Sequence, residues 1–196
     1  MSLAASTFAV QGPLLLTPRV FGDARGFFFE SWNQRQWAEL LAGHGQEPVA
    51  LVQDNHSRSR RGVLRGLHYQ LPPQPQGKLV RCVAGEIFDV AVDLRRSSPS
   101  FGQWVGARLS AGNHQQMWVP VGFAHGFLTL SEQAEVLYKT TDFWSQPCER
   151  AIRWDDPDLA VSWPEEGLAA GQPLLAEKDA RATSLAAALA AGEVFP

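Results

Sequence analysis

Cysteine is scarce in this chain: Cys82 and Cys148 are the only two among 196 residues. A disulfide framework is therefore excluded, and a core must hold the fold, which this length permits. Charge is also sparse, at 19% of residues against 45% hydrophobic, with a formal net charge of −3. That balance excludes a generally basic nucleic-acid binder while leaving room for a local basic pocket. No apolar run approaches the roughly 20 residues that a membrane-spanning helix needs. Met1–Val10 contain neither Lys nor Arg nor a long apolar stretch, which argues against a secretory signal peptide. These absences lead to the expectation of one soluble, cytoplasmic domain over residues 1–196, partnered with neither nucleic acid nor membrane.

What is abundant points to strands. Seven Trp and eleven Phe stand beside seventeen Gly and thirteen Pro, a composition of short strands and many turns. Strand-like runs cover 49–55, 63–70, 78–83, 87–94, 104–109, 116–119, 126–130 and 134–140, each bounded by turn residues such as Gly62, Pro72-Pro73 and Ala84-Gly85. Many strands without intervening helices predict an all-β, antiparallel sandwich or barrel. Helical spacing is expected only at 33–41, around Trp37, Leu40 and Leu41, and in the Ala/Leu-rich tail at 179–191, capped by Asp179 or Ser184. The run Arg58-Ser59-Arg60-Arg61 reads as a solvated loop. In the hairpin at 78–94, Lys78, Val80 and Cys82 share one face; on the return strand Ile87, Asp89, Ala91 and Asp93 oppose Phe88, Val90 and Val92.

Few polar groups sit where chemistry could use them. His68, in Leu64-Arg65-Gly66-Leu67-His68-Tyr69-Gln70, reads either as a general base or as a half-buried histidine satisfied by one hydrogen bond. Strict alternation sends Arg65 and His68 to opposite faces, so a shared site requires a bulge or bend at Gly66. Pro120-Val121-Gly122-Phe123-Ala124-His125 fits the PxGxxH turn of the cupin superfamily, which delivers His125 at the start of a strand. The HxH pair of metal-binding cupins is missing, so a three-histidine site cannot be assembled; a site from His68, His125 and a carboxylate is the weaker reading. His44 and His114 fall in polar, turn-like settings and are expected to be exposed. Tyr138 reads equally as a rim aromatic or a functional phenol. Gln53 and Asn55 point the same way along their strand. Phe27-Phe28-Phe29, flanked by Arg25 and Glu30, is expected to be core or interface.

In series, these segments closely resemble one family. Residues 21–31 (FGDARGFFFES), 52–57 (VQDNHS), 63–70 (VLRGLHYQ), 76–81 (QGKLVR), 85–93, 101–104, 122–129, 138–142 and 154–156 match the dTDP-4-dehydrorhamnose 3,5-epimerases in order, over roughly residues 10 to 180. The resemblance implies a jelly-roll, cupin-like sandwich with a few short flanking helices: a core at about 10–165 and the helical segment at 179–191. It implies a homodimer whose N-terminal strands contribute Arg25 and Glu30 to the partner's site. It implies neither metal nor cofactor, and a dTDP-linked 4-keto-6-deoxyhexose as substrate.

The same resemblance implies the roles. His68 corresponds to the base and Asp179 to its carboxylate partner. Tyr138 corresponds to the acid on the opposite face, and Lys78 to the residue at the C4 oxygen. His125 lines the same pocket, with Asp89 within reach of one of these groups. Arg25 and Arg65 match diphosphate contacts. Glu30, Gln53 and Asn55 match the nucleotide surroundings, and Glu149 and Lys178 match weaker binding positions. Where the family commonly stacks a Tyr on thymine, this sequence has Trp144. Competing readings are a single-position epimerase, a 3,4-ketoisomerase, a non-catalytic sugar-binding cupin and a metal-dependent oxygenase.

Overall fold

Alternation along the strands buries both faces of two antiparallel sheets. The computed structural model describes residues 3–196. Met1 and Ser2, which open the segment read for a signal peptide, lie outside the described residues. The strands are β1 (Leu3–Thr7), β2 (Leu14–Pro18), β3 (Phe21–Asp23), β4 (Gly26–Phe28), β5 (Gln53–Arg60), β6 (Leu64–Gln70), β7 (Lys78–Ala84), β8 (Glu86–Asp93), β9 (Trp104–Ser110), β10 (Gln116–Val119), β11 (Phe123–Thr129), β12 (Gln133–Thr140) and β13 (Glu149–Ala151). The helices are α1 (Gln34–Gly43), α2 (Glu177–Ala180) and α3 (Leu185–Ala190). One sheet runs β1-β2-β10-β7-β12-β5 and the other β13-β6-β11-β8-β9, while β3 and β4 form a separate hairpin arm. This is the antiparallel sandwich that the strand pattern predicts, in the jelly-roll form with short flanking helices that the resemblance implies.

Three apolar clusters explain which residues face which way. Between the sheets, Val80 and Cys82 of β7 and Val136 of β12 meet Ile87 and Ala91 of β8 and Phe123 and Phe127 of β11. The opposite face of β8 (Val90 and Val92, with Phe88 half-buried) packs outward against Ile152, Leu159, Leu185, Val194 and Phe195. Leu79, on the far face of β7, packs with Leu14, Leu16, Trp37, Leu41 and Trp118 beneath α1. The expected faces of the 78–94 hairpin are thus realised, with its turn at Gly85 in the positive-φ region. Asn33 caps α1, its side-chain oxygen accepting from the Arg35 and Gln36 amides. No helix among the described residues is long and apolar enough to cross a membrane.

Four expectations need correction. The first strand of the middle region runs Gln53–Arg60 rather than 49–55, because its pairing with β12 continues to Arg60↔Gln133. The Arg58–Arg61 run is therefore not a free loop: Ser59 is buried, and Arg58 pairs with Glu135 on β12 at 2.8 Å. The tail is not one helix. It breaks between α2 and α3, where Thr183 bridges to Ile152, and Ser184 caps α3; Asp179 caps nothing and lies buried inside α2. His114 is half-buried, with its ring centroid 4.6 Å from Phe27 and 5.1 Å from Phe29.

Candidate active site

A cavity of about 580 Å³ opens between the two sheets and is closed on one side by residues 174–179. β6 supplies Arg65 and His68, and β11 supplies His125. β5 supplies Gln53, Asn55 and Ser57; β7 supplies Lys78 and β12 supplies Tyr138. Arg65 and His68 reach the same space because the β6–β11 register shifts between His125↔His68 and Phe127↔Arg65. Gly66 makes this possible: its φ is +129°, and a Cβ there would lie 2.5 Å from the Gly126 Cα. The bend that alternation demanded is present.

His68 Nε2 lies 2.6 Å from Asp179 Oδ1, and the Asp179 side chain is almost wholly buried. A proton on Nε2 donated to this carboxylate leaves Nδ1 as the basic nitrogen. Burial holds the His68 imidazole below its ordinary pKa, although Asp179 pulls the other way. The free base is therefore the prevailing form at neutral pH. Lys78 is buried and donates to the His68 carbonyl at 3.2 Å. Burial lowers its pKa to about 8, opposed by Glu149 and Asp89. Tyr138 is half-buried and its phenol is pushed up by desolvation. His125 Nε2 takes a second carboxylate, Asp89 Oδ1, at 2.8 Å. Each cavity histidine thus has its own aspartate, and no three His, Cys, Asp or Glu side chains converge as metal ligands among the described residues.

The remaining binding residues frame the mouth. Arg65 is braced through Nε on Ser59 Oγ (3.0 Å) and through its terminal nitrogen on the Arg58 carbonyl (3.1 Å). Trp144 is 56% exposed, and its amide donates to Gln53 Oε1 at 3.1 Å. Lys178 and Glu149 face each other as an ion pair at 2.9 Å.

Two expected residues are not in this chain's cavity. Arg25 lies at the tip of the β3–β4 arm, paired with Asp23 at 2.5 Å and exposed. Glu30 accepts from Gln36 Nε2 at 2.8 Å beside α1. Among the described residues the arm pairs only with itself and carries Arg25 away from the cavity, and Glu30 follows it against α1. It also leaves Phe27 and Phe28 each 63% exposed, so this part of the triple Phe is not core.

Several cavity residues escaped the sequence reading. Ser57 continues the Gln53–Asn55 row at the same spacing, so strand alternation could have found it. Ser57 Oγ and Asn55 Nδ2 are buried without a partner among the described residues. Gln70 and Gln76 brace the loop that carries Trp144, donating to the carbonyls of Phe143 (3.2 Å) and Asp142 (2.7 Å). Arg60 also reaches the rim.

Comparison with known proteins gives this geometry a family. The family model described as dTDP-4-dehydrorhamnose 3,5-epimerase matches residues 7–187. A Pseudomonas aeruginosa protein named dTDP-4-dehydrorhamnose 3,5-epimerase is 61% identical over 184 residues, covering 94% of this chain and 97% of its own. A Legionella pneumophila dTDP-6-deoxy-D-glucose-3,5-epimerase, solved in complex with dTDP-4-keto-L-rhamnose, superposes with a TM-score of 0.90 at 46% identity, covering 100% of this chain and 98% of that one. A 3'-monoepimerase from Streptomyces bikiniensis, in complex with dTDP-quinovose, reaches 0.86 at 30% identity, over 96% of this chain and 91% of that one. Motif order, sheet topology and likeness along nearly the whole chain agree: the protein belongs to the dTDP-4-dehydrorhamnose 3,5-epimerase family of isomerases.

Proposed function

We propose that this chain inverts C3 and C5 of dTDP-4-dehydro-6-deoxy-D-glucose, giving dTDP-4-dehydro-L-rhamnose for dTDP-L-rhamnose biosynthesis. The observation that carries this reading is that base and acid stand on different sheets. His68, with Asp179 behind it, projects from β6, while Tyr138 and buried Lys78 project from the facing sheet. A sugar between them is open to a base on one face and a proton donor on the other.

Both carbons are α to the C4 ketone. His68 Nδ1 removes the proton, and the C–H electron pair moves onto the C4 oxygen. The buried Lys78 ammonium offsets the enolate charge. Tyr138 then donates its phenolic proton to the opposite face, and exchange with water resets both residues. Asp179 holds the His68 tautomer and steadies the imidazolium. Arg65 offers a planar fork to the diphosphate, and Trp144 a stacking face to the base. Gln53, Asn55, Glu149 and Lys178 complete the nucleotide and sugar contacts.

The arm fits a homodimer. Phe21, Phe27 and Phe28, exposed on one chain, would cover the cavity mouth of a second copy and bring Arg25 and Glu30 to it. Sedimentation is expected to give a dimer; a stable, active monomer removes this part of the proposal. Two free, buried cysteines fit a reducing, cytoplasmic setting, and the reading needs no cofactor, nucleic acid or membrane.

The test is proton NMR of the 4-keto substrate in D2O with enzyme. Deuterium is expected at both C3 and C5. Exchange at one carbon alone supports a single-position epimerase, the reading favoured by likeness to the Streptomyces monoepimerase. No exchange defeats the epimerase reading and leaves a sugar-nucleotide-binding protein.

A further inference from the structure

Asp89 takes no part in the steps above, yet it is fully buried and in contact with the cavity residue His125. It projects from β8 to the inner face. Oδ1 meets His125 Nε2 at 2.8 Å, and Oδ2 has no hydrogen-bond partner among the described residues. A buried carboxylate oxygen left unpaired is costly, so its retention calls for a reason.

Two neighbours supply one. His125 lines the cavity, and an Nε2 proton donated back to Asp89 makes Nδ1 its free nitrogen on the cavity side. Lys78 is buried, and its only hydrogen bond among the described residues goes to the neutral His68 carbonyl, with no carboxylate at ion-pair distance. Burial pulls its pKa to about 8, while the charges of Glu149 and Asp89 oppose that fall and Lys178 adds to it. The other ionisable groups lining the same cavity include Arg60, Arg65, His68, His125, Tyr138 and Asp179. Glu149 is already paired with Lys178 and is partly exposed. Asp89 is dry and only half satisfied, so its charge acts on Lys78 with little screening.

We infer that Asp89 is a positioning residue: it fixes the His125 ring with Nδ1 toward the cavity, and it sets a buried, half-satisfied negative charge on the sheet facing Lys78. This rests on the epimerase reading of the same cavity. Enolate formation places an electron pair on the C4 oxygen, and Lys78 offsets that charge only while it holds its third proton. The Asp89 charge keeps that proton in place at working pH.

Asp89→Asn keeps the shape and removes the charge. The kcat is expected to fall about tenfold to a hundredfold with KM held within about twofold, since the lost interaction belongs to the transition state. The alkaline limb of kcat moves to lower pH, and so does the titration of the Lys78 ε-carbon followed by 13C NMR. An unmoved limb and titration, or a change in KM alone, overturns the inference. Should Asp89→Asn fail to fold, 15N NMR of the unaltered enzyme decides. His125 protonated at Nε2 in a strong hydrogen bond supports the inference; a ring protonated at Nδ1 alone overturns it. Wild-type enzyme that exchanges no deuterium defeats the epimerase reading, while the Lys78 titration still judges Asp89.

Discussion

The cavity contains two histidine–aspartate pairs that are built in different ways. His125 and Asp89 sit on adjacent strands of one sheet, 36 residues apart, and the pair is almost wholly buried. His68 stands next to His125 across the β6–β11 pairing, but its carboxylate comes from 111 residues away, on the four-residue helix α2. The sheet-borne pair is fixed by the same ladder that makes the fold. The other is closed by an appended segment, held near the cavity through the Val63↔Leu174 and Ile152↔Thr183 bridges and the Lys178–Glu149 ion pair. The rigid pair suits a permanent electrostatic task, and the appended one suits a histidine that must gain and lose a proton in each turnover.

Substitutions can break this contrast. His68→Ala is expected to cost about 10³–10⁴ in kcat, the upper range for a positioned acid–base group, with the fold intact by circular dichroism. Tyr138→Phe should lose about 10²–10³ in steady-state kcat, with deuterium exchange at the substrate carbons outlasting net inversion, because abstraction survives while reprotonation does not. Asp179→Asn is expected to lower kcat about 10²–10⁴-fold, with Tm nearly unchanged because α2 is peripheral. Asp179 raises the His68 pKa, so its loss moves the acid limb of activity to lower pH. An Asp179→Asn variant that unfolds would show that the appended pair is as structural as the sheet-borne one.

In the wild type, kcat against pH should be bell-shaped. The acid limb lies below the ordinary histidine range, because burial lowers the His68 pKa and the base must be unprotonated. The alkaline limb falls near 8, where Lys78 loses its proton. The smallest effect is expected from Lys178→Ala, which removes a partly exposed ion pair worth about 0–1 kcal/mol. It should raise KM severalfold and leave the dyad chemistry in place.

Much of the fold was legible because its punctuation is local. Gly85 turns the 78–94 hairpin, Asn33 starts α1, and period-two alternation sorts Val80 and Cys82 from Leu79. The extent of β5 was not legible, since its polar run Gln53–Arg60 is a strand only through pairing with β12. The tail misled for a related reason: Ala and Leu favour helix throughout, and the break comes from tertiary bridging at Thr183. At the site, strand geometry put Lys78 on one face with Val80 and Cys82 and required a bend at Gly66 if Arg65 and His68 share a site; that Lys78 faces the cavity came with the resemblance. The pairing of His68 with Asp179 did not, because no local pattern links residues so far apart; family resemblance alone suggested it. Arg25 and Glu30 were expected to serve a partner's site, and neither lines this chain's own cavity: Arg25 sits at the tip of the arm and Glu30 beside α1.

The distant origin of Asp179 also has a consequence during synthesis. The β6 histidine is made early, and its carboxylate follows 111 residues later. At translation rates of 5–20 residues per second, the delay is roughly 5–20 s, during which a nascent chain carries a histidine without its acid. Val194 and Phe195, which complete the outer cluster, arrive later still. Catalytic competence therefore waits for α2, and a ribosome-bound chain stalled before it should bind sugar nucleotide poorly and turn over almost none.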